Sequence, residues 1–331
     1  MTTISYKQGN SVSMKASPPF NLNQLQEQHD WIRNSHNLSI DKEINIHNRI
    51  KKEILPEIGR YFPGLSIEHG PYEVTETQLQ KAREIFSQGE IEAVDASLIS
   101  MPVGSSATFV ITVVAATHKG TTRSNQTYVL DIEIAPDPLG QATSNNLLDH
   151  LKRRNLPSSS NEDAADAAAR RFMTSKEREV MLGANAIYTM AHGTPFPYEQ
   201  LSPLGTPEDV IAEAAVIRSI LNKGNCVFVP SETSLGHLET IATALEPSQF
   251  VIFQHCEIPN WASLKNFRDD WAEAGVAVQA LFSDLADQMV IVGYRSSSDS
   301  PGRIFLCRTD DVEKIAPLLM ADSQRAGRRG Y

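Results

Sequence analysis

The spacing of apolar residues changes along the chain, and the changes divide it into elements. The stretch "VTETQLQKAREIFSQG" opens with a Thr-x-x-Gln pattern at Thr75 and closes on Gly89, which predicts a capped helix. The period then shortens. "IEAVDAS", "TFVITVVAATHKG" and "QTYVLDIEIAP" are β-branched and separated by Gly, Ser, Asn and Thr clusters, so they read as three strands joined by short turns. Residues 138–161 are polar and serine-rich, a loop leading into the helix "EDAADAAARRFMTSKEREVMLGA"; a compact strand, "AIYTMAHG", follows. "TPEDVIAEAAVIRSILNKG" carries Thr206 as N-cap, Pro207 at the first helical position, apolar residues at 210, 214, 217 and 221, and Gly224 as terminator. Beyond it come strand "NCVFVP", helix "LGHLETIATAL", strand "QFVIFQH", helix "NWASLKNFRDDWAEAG", strands near "VAVQAL", "QMVIVGY" and "RIFLCR", and a last helix "DDVEKIAPLLM". Three consecutive strands followed by helix–strand alternation describe an α/β chain with a mixed sheet flanked by helices.

Upstream of this pattern, residues 1–22 are polar and aperiodic and read as a mobile arm. Residues 23–62 show apolar positions at helical spacing, interrupted at Pro56, so 23–88 reads as a helical extension and 89–331 as the main domain. No apolar run approaches the roughly 20 residues of a membrane span, and no signal peptide is evident, which leads us to expect a cytoplasmic protein without a membrane partner. Cys226, Cys256 and Cys307 are far apart, odd in number and without CxxC spacing, so they suggest neither a disulfide framework nor a zinc site. A net charge of −10 argues against coating nucleic acid by bulk electrostatics, although basic stretches such as "HLKRRN" and "RAGRRGY" remain.

The candidate chemistry centres on Asp95, which closes the first apolar run and is followed at once by small residues. A carboxylate is costly to bury, and a metal-ligand role explains its place. In the order of elements, Asp95 ends the first strand, Glu177 or Glu179 lies on the first core helix, and "MAHGT" ends the fourth strand with His192. That is the order of a ribonuclease H-like core, where acids at these stations hold one or two divalent metals. Two residues on a helix turn through roughly 200°, so Glu177 and Glu179 cannot both face the sheet. Phe172 and Lys176, seven and three residues earlier, favour Glu179.

These stretches also carry a family resemblance. "IEAVDAS", "FMTSKEREVMLGA" and "YTMAHGTPFPYEQLSPLG" resemble, in order and kind, the motifs of the NurA family of 5′-end-processing DNA nucleases, over roughly residues 80–300. The resemblance implies a metal-dependent nuclease with Asp95 and Glu179 as Mn²⁺ or Mg²⁺ ligands and Glu177 as the alternative. It further implies a homodimer whose channel admits DNA, and a HerA-type hexameric ATPase that feeds it. Two departures stand out: Asp95-Ala96-Ser97 replaces Asp-Gly-Ser, and His192-Gly193 stands where the family has a second aspartate before glycine. Imidazole ligates Mn²⁺ but suits Mg²⁺ poorly. Either the site prefers Mn²⁺, or another acid among Asp131, Glu133 and Glu232 substitutes, or the chain is an inactive DNA-binding or assembly subunit.

Lys119 and Arg123, in and after the turn containing His118, could touch a DNA backbone, and Phe196 and Tyr198 could stack on unpaired bases. His255, at a strand end, reads as structural. An α/β enzyme of unrelated chemistry is the remaining class, without support from GxGxxG, Walker, GxSxG or HExxH motifs, all of which are absent.

Overall fold

Nine strands form one mixed sheet in the computed structural model, which describes residues 42, 45–54, 69–103, 106–133, 161–195, 207–230, 236–255, 280–298 and 300–326. The strands are β1 His69–Glu73, β2 Ile91–Val103, β3 Ser106–Thr117, β4 Thr122–Glu133, β5 Tyr188–His192, β6 Cys226–Val229, β7 Gln249–His255, β8 Met289–Arg295 and β9 Arg303–Arg308. The longer helices are α1 Glu76–Gln88, α2 Asn161–Gly183, α3 Pro207–Lys223, α4 Gly236–Ala242 and α5 Val312–Ala326; residues 45–54 and 280–287 are also helical, and Thr309–Asp311 is a 3₁₀ turn. Across the sheet the order is β1-β7-β8-β9-β6-β5-β2-β3-β4.

The half of the sheet that matters here is β4-β3-β2-β5-β6. β2, β3 and β4 form an antiparallel meander, and β5 then pairs parallel to β2 and β6 parallel to β5, with α2 and α3 as the crossovers. Antiparallel strands one to three, then two parallel strands on the far side of strand one, is the ribonuclease H-like arrangement expected from the order of elements. The remaining strands extend this core on the β6 side through antiparallel pairs.

Strand alternation sorts the core onto two faces. Val94, Ile111, Val113, Ala191, Cys226, Phe228, Val251, Phe253 and Leu306 join α2, α3, α4 and the helix at 280–287 in one cluster. Their neighbours in sequence, Ile91, Val227, Phe250, Val290, Val292, Phe305 and Cys307, join α1 and α5 in the other. α1 is capped as its sequence implies. Thr75 accepts from the Gln78 N–H, Gln78 returns a bond to the Thr75 N–H, and Gly89 closes the helix at φ +75°. With Leu79, Ala82 and Phe86 buried, α1 packs against α5 and belongs to the body of the fold.

Three readings change. Asp95 does not end its strand: β2 runs on to Val103, and Ala96 and Ser97 stay paired with Val113 and Thr112 of β3. His69–Glu73 is a strand, not helix; its sequence, HGPYE, has no apolar alternation, and Pro71 is tolerated because β1 is an edge strand. Ala280 and Leu281, read as the end of a strand, are helical. The arm at 1–22, most of the helical reading over 23–62, Thr206, Phe196, Tyr198, Glu232, Cys256 and the helix "NWASLKNFRDDWAEAG" lie outside the described residues. No helix among the described residues is long and apolar enough to cross a membrane.

Candidate functional site

The ladder between β2 and β5 ends at Val94–Ala191, while β2 continues along β3. The next residue on each strand is Asp95 and His192. Both therefore stand where two parallel strands part, at the carboxyl end of β5, the kind of crevice in which open α/β sheets bind ligands. Because Val94, Ala96 and Leu98 face the α2 cluster, alternation turns Asp95 to the opposite face, and the β2–β5 register turns His192 to that face as well. Their side chains line a shallow hollow of about 50 Å³ with Ala93, Met190 and Val229.

His192 Nδ1 lies 3.8 Å from Asp95 Oδ1, and both side chains are open to solvent at 43% and 63% exposure. Asp95 Oδ1 also accepts the N–H of Ala96 at 3.0 Å. The carboxylate is thus hydrated and close to an imidazole, so its place on an apolar strand carries no burial cost. After His192 the chain turns away through Gly193, whose φ of +93° favours glycine and whose N–H donates to the Val229 carbonyl at 2.9 Å.

The α2 glutamates do not join this pair. α2 packs on the other face of the sheet, and its phase is opposite to the one expected: Glu177 is buried and Glu179 is 51% exposed. The buried stripe runs through Ala169, Glu177, Val180 and Met181, with Glu177 three and four residues before the last two and eight after the first; Arg178 beside it is buried too. Phe172, used as a marker of the buried face, is only partly buried and packs edge-on against Tyr128 of β4 at 5.3 Å, on the flank of the helix. Glu179 Oε1 and Oε2 accept from Lys176 Nζ at 2.8 and 2.7 Å, and that ammonium lies 5.5 Å from the Phe172 ring centroid.

Lys119 and Arg123 are exposed at the opposite end of the β2–β3 ladder, beside Gly89 and Glu92 and away from Asp95. His118, in the same turn, packs against Phe86 and faces Asp322, so it is a structural histidine. Asp131 and Glu133 fall on β4 and His255 ends β7, but their side chains lie outside the described part of the molecule.

One feature near the fork escaped the sequence. Arg178 of α2 and Glu213 of α3, with side chains 5% and 4% exposed, form an ion pair at 2.7 Å, and Arg178 Nη2 donates to the Thr194 carbonyl at 3.2 Å. This braces the segment leaving His192 against both crossover helices. A charged residue within "KERE" carries no sign of burial, because the periodicity of α2 is weak and its partner lies 35 residues away.

A divalent cation at the fork would meet one carboxylate and one imidazole, both hydrated. That donor set fits a cation held by two protein groups, with water or phosphate oxygens completing its shell, and its nitrogen suits Mn²⁺ better than Mg²⁺. The three-ligand centre expected from the sequence is not assembled: among the described residues no three His, Cys, Asp or Glu side chains are grouped to hold a metal ion.

No family model matches the chain, and no curated protein matches it. Among solved structures it is similar to the NurA nuclease from Sulfolobus solfataricus, at 11% identity over 94% of this chain and 88% of that one, with a TM-score of 0.46. It is also similar to a structure of NurA with manganese, at 12% identity over 74% of this chain and 88% of the other, TM-score 0.45. A third, NurA bound to dAMP and manganese, has 11% identity over 89% of each chain and a TM-score of 0.41. The likeness covers most of the chain and is divergent at every level measured.

Proposed function

We propose that this protein is a metal-dependent DNA nuclease that hydrolyses phosphodiester bonds at the surface bearing Asp95 and His192. One observation carries the reading: a carboxylate and an imidazole stand 3.8 Å apart where the two central parallel strands of a ribonuclease H-like sheet part. Their exposure leaves room for a phosphodiester to approach, and the neighbouring Ala93 and Val229 keep the floor of the hollow apolar. Asp95, fixed by the Ala96 N–H, offers an oxygen donor; His192 offers a nitrogen donor or a proton to a phosphate oxygen. A divalent cation bound there, Mn²⁺ by preference, would supply Lewis-acid stabilisation of the phosphoryl oxygens. Arg178 and Glu213 hold the Thr194 segment and with it the position of His192. In keeping with the family resemblance, the working form is a homodimer acting on DNA with a HerA-type hexameric ATPase.

The second reading, a DNA-binding or assembly subunit without catalysis, is favoured by the missing third ligand among the described residues. Cleavage of end-labelled linear single- and double-stranded DNA with Mn²⁺, Mg²⁺ or EDTA separates the two. Metal-dependent degradation that Asp95→Asn abolishes, with the variant's melting temperature unchanged, establishes the nuclease. Cleavage that survives the substitution removes Asp95 from the chemistry. Absence of cleavage with the ATPase present, together with retained DNA binding, favours the second reading.

A further inference from the structure

A second concavity lies on the other face of the sheet and at the other end of β2. It is a cleft of about 630 Å³ between the start of β2, the β3–β4 turn region and the end of α2. Its charged lining is Glu90, Glu92 and Glu179 against a single guanidinium, Arg123, with Thr117 and Asn185 as neutral polar neighbours. Its volume falls within the range of small-molecule sites.

Glu92 sets this cleft apart from a chance cluster of surface acids. Its side chain points to the α2 face with Val94, and it is 4% exposed, yet among the described residues its carboxylate has no hydrogen bond and no ion pair. Its oxygens keep contact with solvent through the cleft, and a ligand that displaces that water must bring hydrogen-bond donors of its own. The candidate partners nearby are otherwise engaged or distant. Lys176 is committed to Glu179, and Arg123 stands exposed at the rim. Buried Thr117 is held by its backbone, its N–H donating to the Thr121 carbonyl at 2.9 Å.

We infer that this cleft binds an organic cation, a primary amine or guanidinium, whose charged end pairs with Glu92. Three features select that class. With Glu179 held by Lys176, the carboxylates of Glu90 and Glu92 still outnumber the one guanidinium of Arg123, which favours positive charge. The described residues hold no group of three acidic, histidine or cysteine side chains suited to a metal ion, and the volume far exceeds what a bare ion fills. Ammonium and guanidinium groups present only donors, which match the acceptor oxygens of Glu90, Glu92 and Asn185 in the lining. Arg123 at the rim repels the ligand and sets an upper limit on its affinity. This inference stands apart from the nuclease reading, since neither Asp95 nor His192 borders the cleft.

The test is calorimetric titration of the full chain with spermidine and, separately, agmatine at physiological ionic strength, with MgCl₂ as a competing arm. Saturable binding is expected for at least one amine, weakened tenfold or more by Glu92→Gln and tightened severalfold by Arg123→Ala, with Mg²⁺ competing no better than its ionic strength accounts for. Glu90→Gln, on the less buried neighbour, is the fallback if Glu92→Gln does not fold, and should weaken binding severalfold. No saturable binding of either amine overturns the proposal. So does an affinity that both glutamate variants leave within twofold, or stoichiometric displacement of the amine by Mg²⁺.

Discussion

At the scale of single residues, the fork between β2 and β5 gives His192 a test that Asp95 alone does not. In the proposed nuclease, a nitrogen donor where an oxygen would suit a hard cation would bias the site toward Mn²⁺. His192→Asp should raise the ratio of Mg²⁺- to Mn²⁺-supported cleavage by roughly tenfold, at the low end of what changes around a metal site produce. Measuring both rates on one DNA substrate checks this; an unchanged ratio removes His192 from the metal's environment. The Arg178–Glu213 pair makes a different prediction. Removing one member leaves the other charge buried, so Arg178→Met should cost about 3–5 kcal/mol, and adding Glu213→Leu should recover most of that loss. Urea denaturation of the two single variants and the double variant measures it, and additive losses would show that the pair is not coupled.

At the scale of elements, the connection from β8 to β9 is seated directly on the end of α4. The Gly302 N–H donates to Thr243 Oγ1 at 3.0 Å. A Cβ on Gly302 would come within 2.1 Å of the Thr243 backbone nitrogen and 2.3 Å of the Ala242 carbonyl carbon, which no side-chain rotation relieves. Gly302→Ala should therefore destabilise the protein by about 3 kcal/mol, the upper end of ordinary overpacking. Gly183, the last residue of α2, has nothing within 4 Å of its added Cβ, and Gly183→Ala should be neutral or stabilising by about 0.5 kcal/mol. Thermal melts of the two variants should move in opposite directions or differ by several degrees, and equal melting temperatures would contradict the packing described.

At the scale of the whole molecule, the β3–β4 turn is fastened to α5 and α1 through His118. Its ring packs edge-on against Phe86 at 4.5 Å, and its Nδ1 lies 3.8 Å from Asp322 Oδ1. Burial holds His118 below its ordinary value, an effect that Asp322 opposes and Arg325 reinforces, while burial raises Asp322, with His118 and the arginines opposing. A histidine depressed in the folded state takes its proton later than in the unfolded chain. Its contribution is complete above about pH 6.5 and is lost as pH falls through the lower folded value. The wild type should lose stability between pH 7 and pH 5 that a His118→Asn variant does not lose, read as the difference in denaturation midpoints at the two values. Asp322 acts with the opposite sign, its raised value costing stability as pH climbs above the ordinary carboxylate range, so Asp322→Asn should relieve that cost at neutral pH.

The local and periodic part of the fold is written along the chain. The capping box at Thr75, the three-strand run beginning at residue 91, the helix from Pro207 and the alternation that follows are set by interactions over three or four residues or by the two-residue repeat of a strand, and both can be read along a line. The meeting of Asp95 with His192 is legible in part: the order of elements brings the two strands together, while the end of their shared ladder at Val94–Ala191, one residue before each, is set by the sheet. Which side of each element faces which neighbour is settled by packing instead. Glu177 and Glu179 exchanged places because the phase of a weakly amphipathic helix is set by the sheet it packs on. The face to which alternation turned Asp95 put the sheet between it and α2. Glu92 and Arg178 became buried charges through contacts tens of residues away, and HGPYE became a strand because β7 offered it an open edge. In each case the deciding energy lies between elements, where no pattern along the chain records it.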